Sequence, residues 1–284
     1  MSIFGENGIH YISSEVLNSY LHSDSISIID LQPDVHDYII EHIPGSVYIN
    51  EQHFRMYRGQ LPTEYAPAHS LEIIFRSAGI SRNRSIVVYG SNGKFSGWGD
   101  GLEQTMAAYT LHRFGHPSIY VLDGGIESWV QAGFKVEKEF PTIEPSDFSA
   151  SVNDSLFLTY TQFCELKDSP SSMVVDIRPH SVYKGDSIWS KPGHIPGAKN
   201  LPWRLLMEHD NARKVRSQSF LKELASTRNI TPEKNLILYC GTGREATAAY
   251  IVFKHVLNYP WVKIYEGSFT EWCTKPDQPT ETGI

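Results

Sequence analysis

The sequence predicts two α/β domains in tandem, and three observations carry that reading. The chain has 284 residues, long for one domain and ample for two of ordinary size. A set of short blocks recurs in the same order in each half. Within each half, β-branched runs alternate with helical patterns, the signature of parallel sheets covered by helices.

The repeat is explicit. The first half reads Ser27-Ile-Ile-Asp30, His42-Ile-Pro-Gly45, Ile86-Val-Val-Tyr-Gly90 and Val121-Leu-Asp-Gly124 with Trp129. The second reads Met173-Val-Val-Asp176, His194-Ile-Pro-Gly197, Leu236-Ile-Leu-Tyr-Cys240 and Ile264-Tyr-Glu-Gly267 with Trp272. Corresponding positions lie 143 to 152 residues apart, which is a duplicated domain and not a solenoid unit. The runs Ser27 to Ile29, Ile86 to Tyr89, Met173 to Val175 and Leu236 to Tyr239 suit strands buried on both faces. After Cys240, Ala246, Ala249, Tyr250, Phe253, Val256 and Leu257 recur every three or four residues, predicting one amphipathic helix. Met106, Thr110, Leu111 and Phe114 do the same until Gly115 supplies a stop. The stretch around PTIEPSD has few apolar residues and reads as a linker. The expected division is residues 1–140, a linker at 141–155, and residues 156–284.

Composition narrows the function. Hydrophobic residues make up 40% and charged residues 20%, as in ordinary globular chains, which sets aside disorder. No apolar run approaches the ~18 residues of a membrane span. The N-terminus MSIFGENGIHYISSE lacks the basic flank and apolar run of a signal peptide, so a cytoplasmic protein away from membranes is expected. Three cysteines, Cys164, Cys240 and Cys273, are too few for a disulfide framework and lack zinc-site spacing. A net charge of −7 argues against nucleic acid as a partner, and an anionic substrate would need a local positive site.

The segment LILYCGTGREATAAY carries the chemistry. It puts Cys240 at the end of an apolar strand, where ligands gather in open α/β sheets. Gly241 and Gly243 let the backbone curl so that several amides converge on one point, and the following helix adds its positive N-terminal end. Such surroundings favour a thiolate, and a depressed Cys240 pKa is expected. The alternative is a buried, inert thiol. Gly90 takes the matching place in the first half, which suggests one active domain and one supporting domain. Cys164 and Cys273 have no comparable glycine loop and read as structural.

The blocks VVDIR, GHIPGAKNLPW, YCGTGREA and YEGSFTEW resemble the catalytic domain of two-domain rhodaneses, the thiosulfate and 3-mercaptopyruvate sulfurtransferases. EHIPGSVYIN and FGHPSIYVLDGGIESW resemble the inactive N-terminal domain of the same family. The resemblance covers nearly the whole chain and implies a rhodanese fold in each half, with no metal or organic cofactor. It also implies sulfur transfer through a persulfide of Cys240, ping-pong kinetics, and a loop Cys240-Gly241-Thr242-Gly243-Arg244-Glu245 with Ala246 opening the helix. The implied partners are a small anionic sulfur donor and a thiol, cyanide or protein-thiol acceptor.

The donor is less determined. Gly241-Thr242-Gly243 leans towards the mercaptopyruvate pattern, whereas Arg244-Glu245 departs from the usual Val-Thr. The Arg244 guanidinium either holds a sulfonate or carboxylate or pairs with Glu245 or solvent. An arginine that commonly binds the donor is replaced by Val182 in Ser181-Val-Tyr-Lys-Gly185, leaving Lys184, Lys191 or Arg244 as substitutes. The segment between Gly185 and His194 also looks shortened. Asp176 and Arg178 match the family's Asp-x-Arg and read first as scaffolding for the loop, with Arg178 also a candidate substrate-binding residue beside Lys184 and the loop residues Gly241, Thr242, Gly243, Arg244, Glu245 and Ala246. His42 and His194 occur in both halves, which favours a structural role. A phosphatase of the same fold would need an arginine six positions after the cysteine, where this chain has Ala246. A non-enzymatic sulfur relay using the same loop is the remaining alternative.

Overall fold

The computed structural model describes residues 4–283. The chain divides into two compact units. One holds the chain up to Met56, Tyr65–Asn153 and Asp210–Val215; the other holds Tyr57–Glu64, Asp154–His209 and the chain from Arg216 onward.

In the first unit five strands run in the order Gly8–Ile12, Ser118–Leu122, Ser85–Tyr89, Ile26–Asp30, Val47–Tyr48. In the second the order is Phe157–Leu158, Val262–Tyr265, Asn235–Tyr239, Ser172–Asp176, Lys199–Asn200. Every pairing in both sheets is parallel. The sequence repeat is thus a repeat of topology, with Asp30 beside Tyr89 and Asp176 beside Tyr239 in register. All five residues of Ser85–Tyr89 and of Ser118–Leu122 are buried, as continuous β-branched runs between two helical layers require. Trp129 and Trp272 close the two cores at equivalent places. Each donates its indole N–H to a carbonyl farther along, Lys135 at 2.8 Å and Pro279 at 2.9 Å.

Helix Glu103–Arg113 ends before Gly115, whose φ of +93° allows the turn. The apolar run after Cys240 differs from the single helix expected. An α-helix covers Arg244–Ile251, and the chain then widens into a π-helical turn over Val252–Val256, with the Leu257 amide on the Val252 carbonyl at 2.9 Å. Every residue from Ala246 to Phe253 is buried, so packing on all sides replaces a one-sided apolar stripe. Residues 141–153 have no regular structure and are hydrogen-bonded along the first unit. Arg76 Nε donates to the Phe148 carbonyl at 2.7 Å and the Ser151 amide to the Phe114 carbonyl at 3.0 Å.

Each sheet carries a buried carboxylate at the end of one strand. Asp30 accepts from the Gln32 amide at 2.7 Å, from Gln32 Nε2 at 2.9 Å and from the Tyr89 hydroxyl. Tyr89 in turn accepts from the Ile43 amide at 3.0 Å, tying the His-Ile-Pro-Gly turn to the sheet. His42 is buried in that turn, with Nδ1 2.8 Å from the Tyr38 carbonyl and its ring stacked on Tyr38 at 4.0 Å. His194 repeats this on Tyr183, at 2.9 Å and 3.6 Å, so both histidines brace turns.

Among the described residues no guanidinium bonds Asp30. Burial pushes its carboxyl up to about 6, against hydrogen bonds from Tyr89 and Gln32 that pull it down. A folded-state pKa raised above the unfolded value gives stability that is present at low pH and lost as pH rises through it. Lowering the pH from 7 to 5 is therefore expected to stabilise the first unit by about 1–2 kcal/mol through this group. Hydrogen exchange of the strand Ile26–Asp30 at both pH values, native chain against Asp30→Asn, measures it. The substituted chain should lose that part of the dependence.

Candidate functional site

Cys240 follows the strand Asn235–Tyr239 directly and is fully buried. The amide of Gly243 donates to its Sγ at 3.1 Å, and the amides of Thr242 and Ala246 also point at the sulfur. This is the converging nest that the glycines predict. The helix begins at Arg244, two residues before the Ala246 start expected from the resemblance, so Arg244 and Glu245 form its first turn. Both glycines are required sterically. A Cβ on Gly241 would lie 2.7 Å from Trp189 Cζ2, and Gly243 has φ +85° with the Glu266 carbonyl 2.9 Å from where its Cβ would be.

The loop is held from below by the turn after strand Val262–Tyr265. The Ser268 hydroxyl accepts from the Cys240 amide at 3.2 Å and donates to the Tyr265 carbonyl at 2.9 Å. Phe269 donates its amide to the Cys240 carbonyl at 3.0 Å, and the Thr270 amide and hydroxyl both reach the Gly241 carbonyl, at 2.9 and 2.8 Å. Ser268 does this with φ +51°, a left-handed conformation where the first unit has Gly125 at φ +66°. The hydroxyl's two hydrogen bonds offset a strain that glycine avoids.

Beside the loop, Asp176 and Arg178 form a buried ion pair. Arg178 Nη2 lies 2.5 Å from Oδ2, and Nε lies 3.0 Å from each carboxylate oxygen. Nη2 also donates to the Gly193 carbonyl at 2.8 Å, and the Tyr239 hydroxyl bonds Asp176 while accepting from the Ile195 amide at 3.1 Å. The guanidinium lies over Phe269 at 3.9 Å and over Trp189 at 5.3 Å. Trp189 is fixed by its Nε1 donating to Thr270 Oγ1 at 2.8 Å.

A cavity of about 550 Å³ opens here, with Arg178, Val182, Asp186, Ile188, Trp189 and Glu245 in its wall. Arg178 Nη1 is buried and has no hydrogen-bond partner. Glu245 contributes a carboxylate in hydrogen-bonding reach of the Cys240 thiol and the Gly241 amide. Its carboxyl is pushed up to about 7 by burial and then by the charge of Asp176. Burial also pushes the Cys240 thiol up to about 12, reinforced by the Glu245 carboxylate and opposed by the amides of Ala246, Thr242 and Gly243. The expected depressed cysteine pKa is therefore corrected. The amide nest exists, but desolvation and a neighbouring negative charge outweigh it.

Cys240, Gly241, Thr242, Gly243, Glu245, Ala246 and Arg178 come together. Lys184 is exposed and lies outside the cavity wall, and Arg244, partly exposed, is also outside it. Lys191 is engaged elsewhere, its ammonium donating to the carbonyls of Lys275 and Gln278, each at 2.6 Å. Cys164 and Cys273 are free and partly exposed. Trp189, Ser268 and Thr270 were not singled out in the sequence. The repeat register held a signal for Ser268, which stands where the other copy has Gly125.

In the first unit the equivalent loop is built differently. The Ile126 amide bonds the Gly90 carbonyl at 3.0 Å, matching the Phe269 contact. Arg213 closes the space near Gly90, with its carbonyl accepting from the Gly124 amide and from Gln104 Nε2, both at 3.1 Å. Its buried guanidinium lies 3.9 Å from Glu103.

The sequence matches the rhodanese-like domain family twice, over residues 13–132 and 159–275. A putative thiosulfate sulfurtransferase of Synechococcus elongatus is 36% identical over 93% of this chain and 82% of its own length. The 3-mercaptopyruvate sulfurtransferase of Escherichia coli is 24% identical over 95% of this chain and 97% of its own. Among solved structures, the anaerobic ergothioneine biosynthesis enzyme of Chlorobium limicola in complex with trimethyl histidine superposes with a TM-score of 0.83. It is 23% identical and the match covers 97% of this chain and 70% of that one, a likeness of fold. With the family matched in both halves and sulfurtransferases among its relatives, this chain belongs to the rhodanese family and is a sulfurtransferase of two rhodanese-like domains.

Proposed function

We propose that Cys240 carries sulfane sulfur as a persulfide, taken from 3-mercaptopyruvate in preference to thiosulfate and passed to cyanide, a thiol or a protein thiol. The observation that carries this reading is the set of three amides aimed at the Cys240 sulfur. A persulfide is a stronger acid than a thiol, so its anion is the form such a nest stabilises. Three unpaired cysteines suit a reducing compartment, and the cytoplasm is the proposed location.

The donor preference follows from charge. In the cavity wall Arg178 Nη1 has no hydrogen-bond partner among the described residues, and the charge of its guanidinium is already balanced by Asp176. Asp186 and Glu245 lie on the same wall. That arrangement accepts one carboxylate oxygen more readily than a compact dianion. Arg178 thereby takes the role of donor anchor, with the loop backbone from Gly241 to Ala246 receiving the transferred sulfur.

Thiocyanate formation from cyanide is expected with both donors, with the higher kcat/KM for 3-mercaptopyruvate, and is expected to vanish in Cys240→Ser. Turnover persisting in that variant would remove Cys240 from the reaction. A higher kcat/KM for thiosulfate would overturn the donor assignment. Val182→Arg places a second guanidinium on the cavity wall and should raise kcat/KM for thiosulfate by roughly tenfold or more, the value of about one charge-assisted hydrogen bond.

A further inference from the structure

The thiol proton of Cys240 needs a destination. Cys240 is fully buried, and an attack on sulfur needs its thiolate. Glu245, in the first turn of helix Arg244–Ile251, places its carboxylate in hydrogen-bonding reach of that thiol and in the wall of the cavity where the donor binds. One group therefore faces both the nucleophile and the space a leaving group must occupy.

We infer that Glu245 is the acid–base catalyst of the transfer, taking the proton from Cys240 and returning it to the departing group. The inference rests on the sulfurtransferase reading of Cys240. With 3-mercaptopyruvate, the thiol proton moves to the Glu245 carboxylate and the thiolate attacks the donor sulfur. The Sγ–S bond forms, and the carbon–sulfur bond breaks with its electron pair going to carbon. Glu245 then gives its proton to that carbon, so the products are the Cys240 persulfide and pyruvate. With thiosulfate the same proton leaves on sulfite. No oxidant or other reactant is needed.

The surroundings suit a group that must both accept and give a proton. Asp176 adds a negative charge that opposes ionisation of Glu245, and Arg178 partly cancels it. The Gly241 amide holds the ionised form, Asp186 shares the cavity wall, and Arg244 adjoins on the same helix. The carboxyl near 7 and the thiol near 12 then behave as one coupled pair that carries a single negative charge over the intervening range. Over the lower part of that range the small thiolate fraction is set by internal proton transfer and does not change with pH, and towards its upper end ionisation of both groups adds to it.

The test is the pH dependence of Cys240 alkylation by the neutral reagent iodoacetamide, read on the Cys240 peptide by mass spectrometry. In the native chain the rate should rise to a midpoint near pH 7, stay nearly level to about pH 9, and rise again above it. In Glu245→Gln the level region should disappear, with the rate climbing about tenfold per pH unit through the same interval. The same variant should transfer sulfur from 3-mercaptopyruvate about 100-fold more slowly at pH 7, as loss of a general acid–base predicts. A Glu245→Gln profile parallel to the native one, or undiminished transfer, would overturn the inference. An unfolded variant is recognised by labelling with the free-thiol midpoint of about 8.5. Alkylation needs no sulfur donor, so the two readings fail separately. A two-stage profile without turnover contradicts only the transferase reading. Turnover with a single rise contradicts only the role of Glu245.

Discussion

The mouth of the second sheet depends on one buried charge, the carboxylate of Asp176. A carboxylate fully removed from water must be given donors, and those donors come from two segments, the turn after its own strand and the end of the neighbouring strand. Arg178 answers with backbone and guanidinium, and Tyr239 with its hydroxyl. Each partner makes a second bond, Arg178 to the Gly193 carbonyl and Tyr239 to the Ile195 amide, so the His-Ile-Pro-Gly turn is fixed to the strand ends. Breaking such a pair by removing one member typically costs about 3–5 kcal/mol, because the other charge is left buried. The consequence runs on to the chemistry. The face of Arg178 carries Phe269 and Trp189, Trp189 presses on Gly241, and Gly241 leads the loop that surrounds the Cys240 sulfur.

The two copies show which parts of this design belong to folding and which to catalysis. Both keep the strand-end aspartate, the tyrosine that bonds it, the turn histidine and the buried tryptophan. The first copy exchanges the arginine for Gln32, the cysteine for Gly90 and the strained Ser268 for Gly125. Without a nucleophile to position, the loop needs no hydroxyl under its amide, and glycine relieves the left-handed backbone. Arg213 occupies the neighbourhood of Gly90 instead. Asp30 is left with hydrogen bonds from Tyr89 and Gln32, and burial pushes its carboxyl up against them.

Much of this was legible in the sequence because it is local or repeated. Strands such as Ile86 to Tyr89 announce themselves by β-branched runs, and Cys240-Gly-Thr-Gly243 specifies a tight loop whatever lies around it. What resisted reading depends on distant parts meeting. The Cys240 pKa was expected to fall because the nest of amides is visible in the glycines, whereas desolvation and the direction of Glu245 are not. Trp189 lies in a segment without a clear counterpart, and only folding reveals that it packs on Gly241. Lys184 and Lys191 looked equally available as cations, but one points to solvent and the other is engaged by backbone carbonyls. The π-helical turn at Val252–Val256 interrupts a periodicity that continues smoothly on paper.

In the proposed reaction a cysteine kept protonated at rest, in a nest suited to a negative sulfur, gives its proton to the Glu245 carboxyl and holds the sulfur between the two half-reactions. The most direct measurement is the mass of the Cys240 peptide after incubation with 3-mercaptopyruvate and no acceptor. A gain of one sulfur atom on that peptide, removed by cyanide, is the predicted result. An unmodified Cys240 peptide, or the added sulfur on Cys164 or Cys273 instead, would contradict it.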